Sequence, residues 1–274
     1  MSLAFTKMQA AGNDFMVVIG RSLPAPSRQR IRALADRRRG VGFDQLLWVD
    51  EPENGVDAVG YRVFNADGGE AGQCGNGALC IAALLADRRP AGGEISLKCR
   101  GGEVRARFAG DHSVSCSLGR PEWNPERIPF FAGEQGPSYG IAVDGENWQV
   151  EVLSLGNPHV VIAVPDAAAA PVASLGPSLS MHERFPRGCN VGFAETLGEQ
   201  ELKLRVYERG VGETPACGTG ACAAAAAGIR QGRVRSPVNV EMPGGDLRVD
   251  WAGGSEPVWL TGQIDCVFEG RVEL

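Results

Sequence analysis

The chain has 274 residues, 43% of them hydrophobic and 22% charged, a composition typical of a folded globular protein and not of a disordered one. Its net charge of −6 argues against a general nucleic-acid-binding role, and no apolar run approaches the ~18 residues that span a bilayer. The N-terminal stretch carries Lys7 and Asp14 among its apolar residues and shows no secretory segment, so the sequence predicts a cytoplasmic protein without membrane partners.

Near the N-terminus, six arginines alternate with the apolar residues Ile31, Leu34 and Ala35, a spacing that predicts the solvated face of a helix. These arginines are Arg28, Arg30, Arg32, Arg37, Arg38 and Arg39. A site for an anion or a partner is the alternative interpretation.

The sequence repeats itself after 143 positions, the separation of Cys74 from Cys217. Residues 61–64 align with 204–207, and 74–78 with 217–221, without a gap. Each half predicts alternating strands, a glycine-rich turn that carries a cysteine, a helix, and further strands joined by Gly-Gly turns. The helices are predicted over residues 76 to about 87 and 219 to about 230, and their small side chains indicate burial within the sheets.

The repeat predicts an α/β (α+β) fold of two domains related by a pseudo-twofold axis. The first domain is predicted over residues 1–118 and the second over 119–261. The tail, 262–274, has no counterpart after residue 118, so we expect it to pair back onto the first domain.

Eight cysteines in a chain without an export signal are expected to be thiols. Because no C-x-x-C pair is present and the three histidines (His112, His159 and His182) are scattered, a zinc site is not predicted. Six of the thiols are expected to be buried and structural, namely Cys80, Cys99, Cys116, Cys189, Cys222 and Cys266.

Cys74 and Cys217 stand apart, because each directly precedes a predicted helix and is followed by Gly-x-Gly. The first turn of a helix favours a thiolate, which predicts a cysteine pKa below ~8.5. Its N–H groups also bind carboxylates, and glycine lets the backbone approach a ligand. Two such thiols facing each other would remove an α-proton from one side of a carbon and return a proton to the other.

This interpretation predicts an amino-acid racemase or epimerase that needs no cofactor; no lysine stands in a context typical of a pyridoxal Schiff base. Two alternatives remain at this point. Both cysteines could be structural thiols, or the chain could be a thiol redox or metal-binding protein.

At these residues the sequence resembles the diaminopimelate epimerase family, and the resemblance extends over essentially the whole chain. The matching stretches, in chain order, are AGNDF (11–15), GVGFDQ (40–45), FNADG (64–68), QCGNG (73–77), GNPH (156–159), NVGF (190–193) and ERG (208–210) running to ACGTG (216–220).

The resemblance implies two similar domains, each a curled, mainly antiparallel sheet or barrel around a central helix, and a homodimer. It implies interconversion of LL- and meso-diaminopimelate, on the route to lysine and peptidoglycan precursors, with Cys74 and Cys217 as the acid–base pair. His159 and Glu208 match the residues that tune their protonation. Glu208 also matches a substrate-binding position, as do Asn13, Gln45, Asn65, Gly75, Asn76, Asn157, Asn190, Arg209, Gly218 and Thr219.

Two other enzyme types are expected to share this fold. Proline racemase-like enzymes typically show histidine after the first Cys-Gly, where this chain has Asn76. Isomerases of the phenazine pathway lack the cysteine pair. Asn65, Asn190 and Arg209 together favour a substrate with two amino and two carboxylate groups.

Overall fold

A computed structural model describes residues 2–20, 24–50, 58–72, 74–86, 93–108 and 113–273. The chain forms two compact units, which we call unit 1 (Met1–Ser117 and Thr261–Leu274) and unit 2 (Leu118–Leu260). Gln73, Asp87 and His112, which appear in the sequence interpretation, lie outside the described residues.

Unit 1 is a mainly antiparallel sheet with two helices. Antiparallel pairs join β1 to β2 and β18, β3 to β4, β4 to β5, β6 to β7 and β7 to β8, whereas β2–β3 and β4–β6 are parallel. The strands are β1 (Ser2–Ala10), β2 (Asn13–Gly20), β3 (Gln45–Asp50), β4 (Ala58–Asn65), β5 (Glu70–Ala71), β6 (Glu94–Cys99), β7 (Gly102–Phe108), β8 (Val114–Ser117) and β18 (Ile264–Glu273), and the helices are α1 (Arg28–Ala35) and α2 (Gly75–Ala86).

Unit 2 repeats this plan. Its antiparallel pairs are β9–β10, β10–β11, β12–β13, β13–β14 and β15–β16, and its parallel pairs are β11–β12 and β13–β15. The strands are β9 (Tyr139–Val143), β10 (Glu146–Ser154), β11 (Pro158–Ala163), β12 (Asn190–Gly198), β13 (Glu201–Glu208), β14 (Gly212–Thr214), β15 (Val238–Met242) and β16 (Gly245–Asp250), and the helices are α3 (Val172–Ser180) and α4 (Gly218–Arg230). The division between the units falls within β17 (Trp259–Gly262).

The offset of 143 residues is reproduced in the strand register. Ala58 pairs with Ser96 in unit 1, and Glu201 pairs with Asn239 in unit 2, so both members of the pair shift by the same number. The alternation that predicted the strands is also present: on β7, Val104, Ala106 and Phe108 are buried while the residues between them are exposed. The predicted α/β class is therefore confirmed.

Helices α2 and α4 each lie within the sheet of their own unit. Residues 221–227 of α4, six alanines and a cysteine, are all buried, and α4 packs against strands β10 to β13, β15 and β16. Alanine favours the helix and leaves room for strands to approach from every side. A helix that contacts both early and late strands requires the sheet to curl around it, as predicted. The two predicted helices are confirmed; the predicted end of the first, at about residue 87, lies outside the described residues.

The strand that flanks the first long strand comes from a different place in each unit. In unit 2, β9 precedes β10 in the chain and pairs with it across a tight hairpin. In unit 1, the equivalent neighbour of β1 is β18, the last strand of the chain, and Ser2 pairs with Glu273. The chain therefore enters unit 2 after β8 and returns to unit 1 at Thr261, within β17, before it forms β18.

Two sequence expectations were wrong. Helix α1 ends at Ala35, so Arg37, Arg38 and Arg39 are not on its solvated face; the Asp36 carboxylate accepts the N–H groups of Arg38 and Arg39 and starts a turn. Cys266 is exposed on β18, and Cys99 is half-buried near the end of β6. None of the described helices has the length and apolar character needed to cross a membrane.

Candidate active site

Cys74 lies at the start of α2 in unit 1. The backbone N–H of Ala78 donates to the carbonyl of Cys74 at 2.9 Å, which closes the first turn. The Gly77 N–H points at the Cys74 sulfur, 3.4 Å away, and that sulfur lies 3.8 Å from the side-chain oxygen of Asn13. The sulfur therefore faces both an N–H donor and an amide acceptor, so both its thiolate and its thiol form have a partner.

Three further predicted substrate-binding amides of unit 1, those of Gln45, Asn65 and Asn76, belong to β3, β4 and the start of α2. Gln45 donates its amide to the side-chain oxygen of Asn65 at 2.9 Å, across the β3–β4 pair. The remaining Oε1 of Gln45 and the Oδ1 of Asn76 are buried, and neither has a hydrogen-bond partner among the described residues. Because buried acceptors normally find a donor, these two oxygens are ready to accept from a ligand.

The Asn13 amide contacts a network of charged side chains that the sequence did not predict. Asp44 accepts from the Asn13 amide at 2.9 Å, and Arg37 donates to Asp44 at 2.7 Å and to both oxygens of Asp14 at 2.7 and 2.8 Å. Lys7 also pairs with Asp14. Although burial opposes ionisation of Asp14, the hydrogen bonds and charges of Arg37 and Lys7 hold its pKa well below the ordinary value.

Cys217 occupies the equivalent place in unit 2, as the N-cap of α4. Its sulfur lies 3.5 Å from the hydroxyl of Thr219. A side chain at Gly220 would place its Cβ 3.3 Å from that sulfur and 3.1 Å from the Val206 side chain. The second glycine of the Gly-x-Gly motif therefore keeps space for the thiol as the helix begins.

The pKa of Cys217 differs from the sequence expectation. Burial of the thiol, together with the negative charge of Glu208, raises the pKa of Cys217 well above its ordinary value, against the lowering effect of Thr219 and the Gly220 N–H. The helix terminus therefore does not make this cysteine a thiolate, and Cys217 rests as a thiol. Glu208 itself accepts a hydrogen bond from the Thr214 hydroxyl at 2.6 Å.

His159 connects to this thiol through two side chains of unit 2. Its ring nitrogen Nε2 lies 3.1 Å from the side-chain oxygen of Asn157, whose amide donates to the Thr219 hydroxyl at 3.4 Å. Burial, together with the positive charge of Arg209, lowers the pKa of His159 to about 3. The ring is neutral at physiological pH, so it acts here as a hydrogen-bond partner and not as a charge.

Asn190 and Arg209, two predicted substrate-binding residues of unit 2, are connected by a hydrogen bond to the Arg209 backbone. Asn190 is buried, pairs with His159 across the parallel β11–β12 ladder, and accepts the backbone N–H of Arg209 at 2.9 Å. The Arg209 Nη1 donates to the carbonyl oxygens of Arg187 and Gly188. Its Nε and Nη2 have no acceptor among the described residues, so that side of the guanidinium is available to a carboxylate.

The predicted site residues thus form one group in each unit, gathered around the start of the buried helix. In unit 1 they are Asn13, Gln45, Asn65, Cys74, Gly75 and Asn76, and in unit 2 they are Asn157, His159, Asn190, Glu208, Arg209, Cys217, Gly218 and Thr219. Across the residues that the structure covers, no group of three or more His, Cys, Asp or Glu side chains could hold a metal ion.

The fold is shared with several solved structures. It is similar to a probable proline racemase from Agrobacterium radiobacter K84, with a TM-score of 0.69 and 16% identity over 99% of this chain and 93% of that one. It is also similar to a phenazine biosynthesis protein from Bacillus anthracis, with a TM-score of 0.69 and 17% identity over the whole of both chains. At these identities the two structures show the fold class.

The sequence comparisons identify the family. The model of the family described as "Diaminopimelate epimerase" matches residues 5–124 and 152–267. The diaminopimelate epimerase of Pseudomonas paraeruginosa is 47% identical over the full length of both chains, and that of Pseudomonas syringae pv. tomato is 46% identical over the full length of both. The chain belongs to the diaminopimelate epimerase family, which confirms the resemblance drawn from its motifs.

Proposed function

We propose that the chain interconverts LL- and meso-diaminopimelate, as the names of its full-length relatives indicate. The observation that carries the proposal is the repeated arrangement of Cys74 and Cys217, each at the start of a buried helix, with Asn13 beside the first thiol and Asn157 linked to the second through Thr219. We propose that residues 1–118 and 119–261 act as the two epimerase domains.

In the proposed mechanism the two cysteines act on opposite faces of one α-carbon. A thiolate on one side takes the α-proton, the electron pair moves into the carboxylate as an enolate, and the thiol on the other side donates its proton to the carbon. The amino acid leaves with inverted configuration, and the two sulfurs have exchanged protonation states. The high pKa of Cys217 supports this scheme, because one of the two groups must begin as a thiol.

Stabilisation of the enolate is assigned to the helix starts. The α-carbon acid is far weaker than a cysteine, so the developing charge requires donors that are already in place. We assign the substrate carboxylate to the first-turn N–H groups at Gly75 and Asn76 and at Gly218 and Thr219, because the first N–H groups of a helix have no partner within the helix and bind anions. Each factor of ten in rate corresponds to about 1.4 kcal/mol of such stabilisation.

Specificity for a diamino dicarboxylate is assigned to the remaining polar side chains. The buried oxygens of Gln45 and Asn76 accept hydrogen bonds, which suits a substrate ammonium group. Arg209 presents Nε and Nη2, which suits a carboxylate. A substrate without the distal amino-acid group would leave these partners unpaired, and such sites reject the analogue strongly.

The test is turnover of LL-diaminopimelate in heavy water, followed by loss of the α-proton signal in NMR spectra. We expect exchange and epimerisation in the parent, and a loss of about 10²- to 10⁴-fold in Cys74→Ala and in Cys217→Ala. Cys80→Ala and Cys222→Ala remove buried thiols from the same two helices and are expected to retain activity. Retained exchange in both catalytic variants, or faster turnover of proline, would overturn the proposal.

We further propose a homodimer, in which β18 lies at the interface. Although β1 pairs with it, β18 is exposed along most of its length, and Val267 and Phe268 are 55% and 46% exposed. An exposed apolar strand at the edge of a sheet is a surface that proteins usually cover. Sedimentation should give a dimer for the parent and a monomer for Phe268→Glu, with Phe131→Glu in unit 2, at a side chain that is 64% exposed, as the control. A monomeric parent would contradict this assembly.

We propose that the enzyme works in the cytoplasm. Both proposed catalytic groups act only as thiols or thiolates, and a reducing compartment keeps them in those forms. Fractionation of cells, with activity assayed in each fraction, tests the assignment.

A further inference from the structure

Asn13 and Asn157 begin or directly precede equivalent strands, β2 and β11, but different groups hold their side-chain amides. In unit 2, the Asn157 oxygen lies 3.1 Å from His159 Nε2, and its amide nitrogen donates to Thr219. In unit 1, the Asn13 oxygen faces the Cys74 sulfur, and its amide nitrogen donates to Asp44. The Asn13 oxygen therefore faces its thiol directly, whereas the Asn157 nitrogen is directed to Thr219, whose hydroxyl contacts the Cys217 sulfur.

The cause of this difference is the residue that corresponds to His159. In the parallel ladders Phe15 pairs with Gln45, as His159 pairs with Asn190, so Phe15 occupies the histidine position in unit 1. Phe15 is fully buried and its ring offers no hydrogen bond. The Asn13 amide therefore needs another partner, and Asp44, one residue before Gln45, is 2.9 Å from it.

The chemistry of Asp44 determines which end of the Asn13 amide faces the sulfur. An ionised carboxylate only accepts hydrogen bonds, so it selects the amide nitrogen of Asn13 and leaves the oxygen to face Cys74. In unit 2 the residue that precedes Asn190 is Cys189, which donates to the Leu179 carbonyl, and the residue that precedes His159 is Pro158. At these two positions unit 1 therefore has two carboxylates, Asp14 and Asp44, where unit 2 has Pro158 and Cys189.

Asp44 is itself held from several directions. Arg37 bridges Asp44 and Asp14, the Asp44 N–H donates to the Asp14 carboxylate at 2.9 Å, and the Asp14 N–H donates back to Asp44 at 3.2 Å. Lys7 binds Asp14 and the Gly42 carbonyl. The Asp44 carboxylate is thus held by one guanidinium, one side-chain amide and one backbone N–H, which restricts its rotation and fixes the orientation of the amide it binds.

We propose that Asp44, clamped by Arg37, is a positioning residue for the reaction: it orients Asn13 so that the Asn13 oxygen faces the thiol that exchanges the α-proton. The inference rests on the proposed function of Cys74. In unit 1, Asp44 takes the role that His159 takes in unit 2, with a carboxylate and an arginine in place of a neutral imidazole.

The test is a double-mutant cycle on turnover of LL-diaminopimelate. Asp44→Asn keeps the shape but presents both a donor and an acceptor, so the Asn13 amide loses its fixed orientation. We expect kcat to fall about tenfold or more with KM changed much less, because the contact lies at the reacting sulfur. Asn13→Ala should lower kcat similarly, and the double variant should be no slower than Asn13→Ala.

Two further variants separate positioning from folding. Glu70→Gln removes an exposed carboxylate that holds Arg62 on β4 and β5, and it should leave kcat unchanged. Arg37→Gln removes the group that holds Asp44, at a side chain that is 58% exposed. It should lower kcat less than Asp44→Asn does, and the double variant should be no slower than Asp44→Asn alone. Additive losses for Asp44→Asn and Asn13→Ala, or equal kcat for Asp44→Asn and Glu70→Gln, would overturn this inference alone. A parent chain without turnover would overturn the proposed function and this inference together.

Discussion

The buried neutral histidine makes a quantitative prediction about acid stability. His159 is 1% exposed and its pKa is about 3, whereas an unfolded histidine titrates near 6.5. Between these values the unfolded chain binds the additional proton, so the free energy of unfolding of unit 2 falls as the pH is lowered. From pH 7 to pH 5 this one group should remove about 2 kcal/mol of stability, and the figure is insensitive to the folded pKa as long as that value stays below 4.

The assay is urea unfolding of the parent and of His159→Gln, which cannot titrate, at pH 7 and pH 5. Both proteins should carry Trp48→Phe, because the remaining tryptophans (Trp123, Trp148, Trp251 and Trp259) all belong to unit 2, so fluorescence then reports on that unit. Other acidic groups contribute equally to both proteins and cancel in the comparison. The parent should lose about 2 kcal/mol more than His159→Gln between the two pH values.

Equal losses for the two proteins would refute the reasoning, since they would mean that His159 titrates alike in the folded and unfolded states. A greater loss in His159→Gln would reverse the sign and imply a charged imidazole in the folded protein.

Three further predictions concern unit 2. Glu208→Gln should shift the pH midpoint for alkylation of Cys217, measured by mass spectrometry, to lower pH, because a negative charge that raises its pKa is removed; an upward shift would contradict that cause. Gly220→Ala should lower kcat about tenfold, because its Cβ would crowd the Cys217 sulfur. Gly228→Ala, in the same helix, would contact the Val234 side chain and should lower only the unfolding midpoint. Arg233→Ala leaves the buried carboxylate of Glu151 unpaired and should reduce the free energy of unfolding by about 3–5 kcal/mol, against at most about 1 kcal/mol for the exposed Arg235→Ala; similar losses would show that burial of the pair has no effect.

The elements of the fold were predictable because the same local patterns occur twice. Alternating apolar residues, Gly-Gly turns and an alanine-rich helix recur at one offset, and the structure repeats them at the same offset, down to the partners of individual strand residues. The end of α1 was not predictable from periodicity, because Asp36 turns the chain with hydrogen bonds that only the folded geometry shows.

Some features of the site could be predicted from the sequence, and others could not. The two cysteines stood out through their motif, and the asparagines and Arg209 through the family resemblance. The pKa of Cys217 was not predictable, because it depends on burial and on Glu208, nine residues earlier in the chain. Arg37 could not be recognised either: among six arginines, only its contacts with Asp14 and Asp44 distinguish it.

The pairing of β1 with β18 has a consequence for how the protein is made. During synthesis the ribosome releases β1 first and β18 last, whereas every strand of unit 2 that pairs with β10 emerges close to it. The strands that pair with β10 are therefore available before β18 is made, whereas one side of β1 stays uncovered until β18 leaves the exit tunnel. A chain truncated before β18 would therefore contain every strand of the β9–β16 sheet, whereas its first unit would lack the partner of β1.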